Sequence, residues 1–181
     1  MAYSTPLTAI SNSVFTAAQY NASDRDNMLE TFAAKATAAG QIAVSSAVNA
    51  IAVRTPTMNT VATGDTFTPT AGVFQDAPTV GPTVTVTTGT KAIVFYSSYL
   101  SNGTATGGGY MSYVVSGAST IAATTANALR LMSSAAAELQ SCAEFDMPTL
   151  TAGSNTFKAQ YTTPTTGALS ISNRRLLVIP L

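Results

Sequence analysis

The sequence contains no histidine, no tryptophan and a single cysteine, Cys142. Without histidine there is no His-centred catalytic triad and no imidazole metal ligand. One cysteine cannot close an intramolecular disulfide, and a lone thiol is most often buried as a small hydrophobe. Charge is scarce as well. Lys, Arg, Asp and Glu make up 9% of the 181 residues, against roughly 25% in an average soluble domain. The eight basic and eight acidic residues cancel. Such a chain offers no basic field for nucleic acid and no polybasic stretch for an anionic membrane surface. No apolar run approaches the ~20 residues that cross a bilayer. The opening Met1-Ala2-Tyr3-Ser4-Thr5 lacks a positive segment followed by an apolar one, so no export leader is expected and synthesis in a cytoplasm is.

What the chain does have is threonine, 30 residues of it, and 46% hydrophobic residues, enough for a sizeable core. A neutral, charge-poor surface tends to associate. The composition therefore points to an oligomer whose surface is covered by identical neighbours. A hydrated Ser/Thr-rich exterior serves the same end in part.

Residues 81–99 carry the clearest pattern. Thr83 to Thr87 alternates Thr and Val, the mark of a strand with one polar and one apolar face. Gly89 punctuates, and the apolar run Ala92 to Tyr96 follows. Similar short runs continue to the end: Tyr110–Val115, Thr156–Tyr161, Ala168–Ile171 and Leu176–Ile179. Six to eight strands from residue 81 onward predict an antiparallel β-sandwich or jelly roll. The fold expected is mainly β, with that domain at 81–181. Before it come a linker with the first short strands at 55–80, and an N-terminal arm, one α-helix and a small hairpin at 1–54. Thr125 to Cys142 is Ala-rich and helix-compatible by propensity; two strands joined by Ser133–Ala137 are preferred.

The helix is expected from Ala17 to Ala39, opened by Thr16 with Gln19 three residues on and closed by Gly40. Its rough apolar side includes Tyr20, Leu29 and Phe32. Ile42, Val44, Ile51 and Val53 are spaced as a hairpin with its turn near Ser45–Asn49. The acids Asp24, Asp26 and Glu30 suggest acid/base or metal chemistry, but Asp24 and Asp26 do not share a helical face, and a solvated face is preferred. The same holds for Glu138, Glu144 and Asp146, of which Glu144 and Asp146 share one face of a strand. Gly107-Gly108-Gly109 leads into a strand rather than a helix and lacks a P-loop lysine, so it reads as a hairpin loop and not a phosphate cradle. No catalytic residue, metal site or cofactor is expected, and a two-carboxylate depolymerase has no visible acid cluster to support it.

Phe15-Thr16-Ala17-Ala18-Gln19-Tyr20-Asn21 followed by Arg25-Asp26-Asn27 resembles the N-terminal motif of minor tail and related virion proteins of tailed bacteriophages. Gly40–Ser45 with Asn49–Val53 is similar to the hairpin that follows that helix. Gly81–Thr90, Tyr110–Ser116, Gly153–Tyr161 and Asn173–Leu176 resemble the β-rich C-terminal module. Tyr20 stands where Leu is usual and Gln41 where Asp is usual. The resemblance implies a non-enzymatic structural protein on the surface of the virion, often a homotrimer, as minor tail or fibre protein or as capsid decoration. It implies docking to other virion proteins through the N-terminal segment, with Phe15, Tyr20, Leu29 and Phe32 as candidate contacts. An alternative is a module that binds host-surface glycan through exposed rings. Tyr96, Tyr99, Tyr110 and Tyr113 are the candidate surface or inter-subunit aromatics.

Overall fold

The computed structural model describes residues 7, 8, 10–132 and 134–181. Residues 1–6 and 9 of the arm expected at 1–15 lie outside them, as does Ser133 of the connection expected at 133–137. The chain divides into two compact units after Pro56. Residues 57–80, within the stretch expected as linker and first short strands, belong to the second unit and carry its first two short strands.

The first unit is a broken helix followed by a hairpin. The helical run is α1 (Ala17–Tyr20), a π-helical turn (Asn21–Arg25) and α2 (Asp26–Leu29). Thr16 opens it with a complete capping box: its hydroxyl accepts from Gln19 N–H, and the Gln19 side chain accepts from Thr16 N–H at 3.0 Å. The helix does not continue to residue 39. Thr31 adopts an extended conformation, and its hydroxyl accepts the Ala34 N–H at 3.3 Å. A threonine that caps from its own side chain restarts the helix instead of continuing it. The restarted segment, α3 (Phe32–Lys35), is a single turn. Strands β1 (Ile42–Ala47) and β2 (Ala50–Arg54) then pair antiparallel, turning through residues 48 and 49.

The second unit is an antiparallel β-sandwich. Its strands are β3 (Thr57–Val61), β4 (Asp65–Phe67), β5 (Thr83–Thr88), β6 (Ala92–Asn102), β7 (Gly108–Gly117), β8 (Leu129–Met132), β9 (Gln140–Asp146), β10 (Gly153–Thr162) and β11 (Leu169–Pro180). One sheet runs β5-β10-β7-β8; the other runs β3-β11-β6-β9, with β4 also paired to β11. The Thr/Val alternation of β5 is realised in space. Val84, Val86 and Thr88 are buried and the threonines between them are exposed. Thr85 and Thr156 face each other across β5 and β10 with their hydroxyls 2.8 Å apart.

Leu129–Met132 and Gln140–Asp146 form strands and not a helix, but β8 and β9 lie in different sheets. The two expected strands are present, and they are not paired with each other. Nor is Leu100–Gly109 a hairpin loop, because β6 and β7 also belong to different sheets. Asn102 pins this crossing: its side chain donates to Gly108 O at 2.8 Å and accepts from Thr104 N–H at 2.8 Å. Gly108 is required by close approach. A Cβ there would stand 2.8 Å from Pro164 Cγ and 2.9 Å from Leu131 O. The glycines thus serve backbone packing.

The core lies between the sheets and includes Val84, Leu100, Met111, Tyr113, Phe157, Tyr161, Leu176 and Val178. β11 carries its largest irregularity. Ser172 pairs with Tyr99 and Arg175 with Ser97, so Asn173 and Arg174 together oppose Ser98. Asn173 takes a positive φ of 48°. This bulge shifts the inward parity from Leu169 and Ile171 to Arg174, Leu176 and Val178.

Candidate functional site

The candidate docking residues sit on the first unit, whose helical pieces leave their apolar side chains uncovered. Phe15, Tyr20, Leu29 and Phe32 are all exposed, and Phe15 meets Tyr20 edge-to-face at 6.2 Å. Among the described residues 7–56 only Asn27 and Glu30 are buried, and no apolar side chain is. The unit is held instead by polar contacts. Asn27 donates to Ser23 O at 2.7 Å, and Lys35 bridges Glu30 at 2.6 Å and Ile51 O at 2.8 Å, tying α3 to β2. The hydrogen bond from Lys35 holds the Glu30 carboxyl below the ordinary carboxylate value. One-turn helices and a lone hairpin are marginal by themselves in water. A unit of this kind gains order from whatever covers its exposed apolar residues.

The four tyrosines do not form a common surface. Tyr96 and Tyr113 are buried core residues, packed edge-to-face at 5.5 Å, and Tyr113 also packs on Phe157 at 6.0 Å. The expectation of surface rings at these two positions is corrected. In β6, even-numbered residues point between the sheets, which turns Tyr96 inward and Tyr99 outward. Tyr110 is half-buried with the Arg130 guanidinium 5.6 Å from its ring centre. Tyr99 alone of the four is exposed.

Burial gives the two core tyrosines a polar task instead. Tyr113 donates its hydroxyl to Asp146 Oδ2 at 2.5 Å, and Asn127 Nδ2 donates to the same oxygen at 3.0 Å. Tyr96 donates to Asn127 O, while Ser112 and Thr124 donate to Asn127 Oδ1. Burial pushes both phenols well above the ordinary tyrosine value, aided by the carboxylates nearby. At Asp146 burial acts upward, but the hydrogen bonds from Asn127, Tyr113 and Met147 N–H outweigh it and lower the carboxyl. Asp146 is thus no solvated surface acid. It anchors β9 to β7 and to the loop before β8.

A second buried polar node surrounds Arg174. Its guanidinium pairs with Asp65 at 3.0 Å and donates to Thr79 O at 2.8 Å, Thr63 O at 3.1 Å and Gly81 O at 3.3 Å. Asp65 in turn accepts from the Thr79 N–H and hydroxyl. These partners all lie within the chain, whereas Arg175 is exposed. Both nodes are tied into the fold by structural hydrogen bonds, although the Arg174 Nε is buried without a hydrogen-bond partner. Among the described residues no group of three or more Cys, Asp and Glu side chains is placed to hold a metal ion, and no helix is long and apolar enough to cross a membrane.

The outer face of the β3-β11-β6-β9 sheet was not singled out by sequence reasoning. Met58 pairs with Leu177, Leu177 with Phe95 and Phe95 with Phe145. These four side chains form one apolar row across all four strands. Phe95 and Phe145 pack with ring centres 6.0 Å apart. The available signal was that both alternating positions of β6 are apolar, Ile93, Phe95 and Tyr99 on one side and Val94, Tyr96 and Leu100 on the other.

The strand pairing defines the class of the second unit as an antiparallel β-sandwich. No protein-family model matches the chain, and no curated protein matches its sequence. Among solved structures, that of Eiger TNF from S. frugiperda is similar at 10% identity over 71% of this chain and 92% of that one, with a TM-score of 0.48.

Proposed function

We propose that this protein is a non-enzymatic structural component of a bacteriophage virion, displayed on the particle surface as a homotrimer. In this reading the unit through Pro56 attaches the protein to other virion proteins and the sandwich projects. Minor tail or fibre protein and capsid decoration are both accommodated. The observation that carries the reading is the absence of any buried apolar side chain among the described residues 7–56, beside exposed Phe15, Tyr20, Leu29 and Phe32. Such a segment makes sense as one half of an interface. The resemblance of Phe15–Asn21 and Arg25–Asn27 to the virion motif supports the same assignment.

The test uses purified phage particles from a host that carries this sequence. The chain is expected among the particle proteins by mass spectrometry, with cross-links from Lys35 to a different virion protein. A Phe15→Ser/Phe32→Ser variant is expected to fold but be lost from particles. Absence of the chain from particles sinks the reading, and so does a variant incorporated as well as the wild type.

A further inference from the structure

We infer that the outer face of the β3-β11-β6-β9 sheet is the surface through which this chain associates with further copies of itself. This shares with the proposed function only the assembly of identical copies, and it stands or falls without reference to a particle.

Met58, Leu177, Phe95 and Phe145 lie in register, and Ile93 and Ile179 pair in the next position along the sheet. Side chains in register on neighbouring strands make a continuous apolar surface, and sheet faces stack on each other about 10 Å apart by interdigitating such rows. The opposite face of the same sheet is already spent on the protomer's own core. This face has no cover from the described residues of the second unit, since Met58 is 60% exposed, Phe145 66%, Phe95 43% and Tyr99 38%.

These four large side chains leave about 350–450 Å² of mostly apolar surface in water, taking ~200 Å² for each fully exposed. Half-buried Leu177, Ile93 and Ile179 add to it. That approaches the apolar share, roughly 65% of about 800 Å² per partner, of a stable homodimeric interface. A solvent-exposed patch of this size marks an interaction site.

Scarcity of charge selects the occupant. Recognition of a different protein draws on complementary charge for encounter and register. Among the strand positions that point out of this face, Arg175 is the one charged side chain. A heterologous partner therefore has almost nothing ionic to read here. A copy of the same face needs only apolar match and shape, and the charge-poor chain has little electrostatic repulsion to keep copies apart.

The experiment is light scattering on the full chain, one copy of which has a mass of 18.5 kDa. The wild type is expected at two or three times that mass. Phe95→Lys/Phe145→Lys, which places cations on the row, is expected to weaken association at least ~30-fold, as loss of a central hot spot does, while keeping cooperative melting. Should that double variant not fold, hydroxyl-radical oxidation of Met58 in the wild type decides. Protection that grows with protein concentration supports the inference. A wild type that remains at 18.5 kDa up to about 100 µM overturns it. So does an oligomer that survives the double substitution, or Met58 oxidised equally at every concentration. Met58 protected only after other particle proteins are added also overturns it, by assigning the face to a different occupant.

Discussion

Arg174 and Asp65 lie 3.0 Å apart, with the arginine fully buried; the carbonyls of Thr63, Thr79 and Gly81 accept from its two terminal nitrogens, while its Nε has no hydrogen-bond partner. The pair joins β11 to β4 and to the loop that leads into β5. Removing one member leaves the other as an uncompensated buried charge, which costs about 3–5 kcal/mol. Arg174→Met is therefore expected to lower stability by that order in urea unfolding. Arg174→Met combined with Asp65→Asn is expected to be less damaging than the sum of the two single changes. Additive losses would show that the two side chains are not coupled.

Tyr113 and Asp146 form the second test. A hydrogen bond to a charged group contributes about 1.5–3 kcal/mol. Tyr113→Phe keeps the ring against Tyr96 and Phe157 and removes only the donor, so its cost is expected in that range. A double-mutant cycle with Asp146→Asn is expected to give a coupling energy above about 1 kcal/mol. Zero coupling would remove the hydrogen bond from the account of β9 anchoring.

The pH dependence has a definite sign at each end. Asp146 and Asp76 have lowered carboxyls, the latter because hydrogen bonds from Lys158 and Gln160 overcome the upward effect of burial. A lowered carboxyl contributes stability that is complete above its ordinary value of 3.8 and is lost as pH falls through the folded value. Burial raises Tyr96, Tyr113 and Tyr161 above the ordinary 10.0. Their contribution is complete below pH 10 and is lost as the unfolded phenols ionise above it. Melting temperature is expected to fall on both sides, with Asp146→Asn flattening the acid limb and Tyr113→Phe the alkaline limb. Limbs unchanged in these variants would contradict the assignment.

Removing residues 176–181 is expected to abolish cooperative folding. Leu176 and Val178 are fully buried, and β11 pairs with β3, β4 and β6. Their loss strips the centre of one sheet, not its edge. A truncated chain that stays soluble with a sharp melting transition by circular dichroism would refute this.

Legibility differed from one element to the next for physical reasons. β5 could be read in detail because Thr and Val differ in polarity at every step. The helix start was visible because Thr16 and Gln19 form a local capping box, whereas its break at Thr31 depends on one side chain choosing the backbone over solvent. β8 and β9 are short, Ala-rich in their surroundings and ambiguous by propensity. Their strand character comes from pairing with β7 and β6. The four-tyrosine surface failed because spacing along β6 and β7 says nothing of which face meets the other sheet.

By itself the sequence determined the class: a charge-poor, His-free chain of many short strands behind a helix and hairpin, with alternation that sets which neighbours on a strand point to opposite sides. Only the tertiary structure decided which side is the inside. Both faces of β6 are apolar, so period-two patterning places Tyr96 opposite Phe95 but cannot choose between them. Pairing between residues far apart in the chain made that choice, burying Tyr96 and leaving Phe95 in the exposed row with Phe145. The bulge at Asn173 made another, turning Arg174 inward and leaving Arg175 in water. Local pattern fixes relative direction along a strand; absolute direction follows from long-range contacts, which no local window of sequence contains.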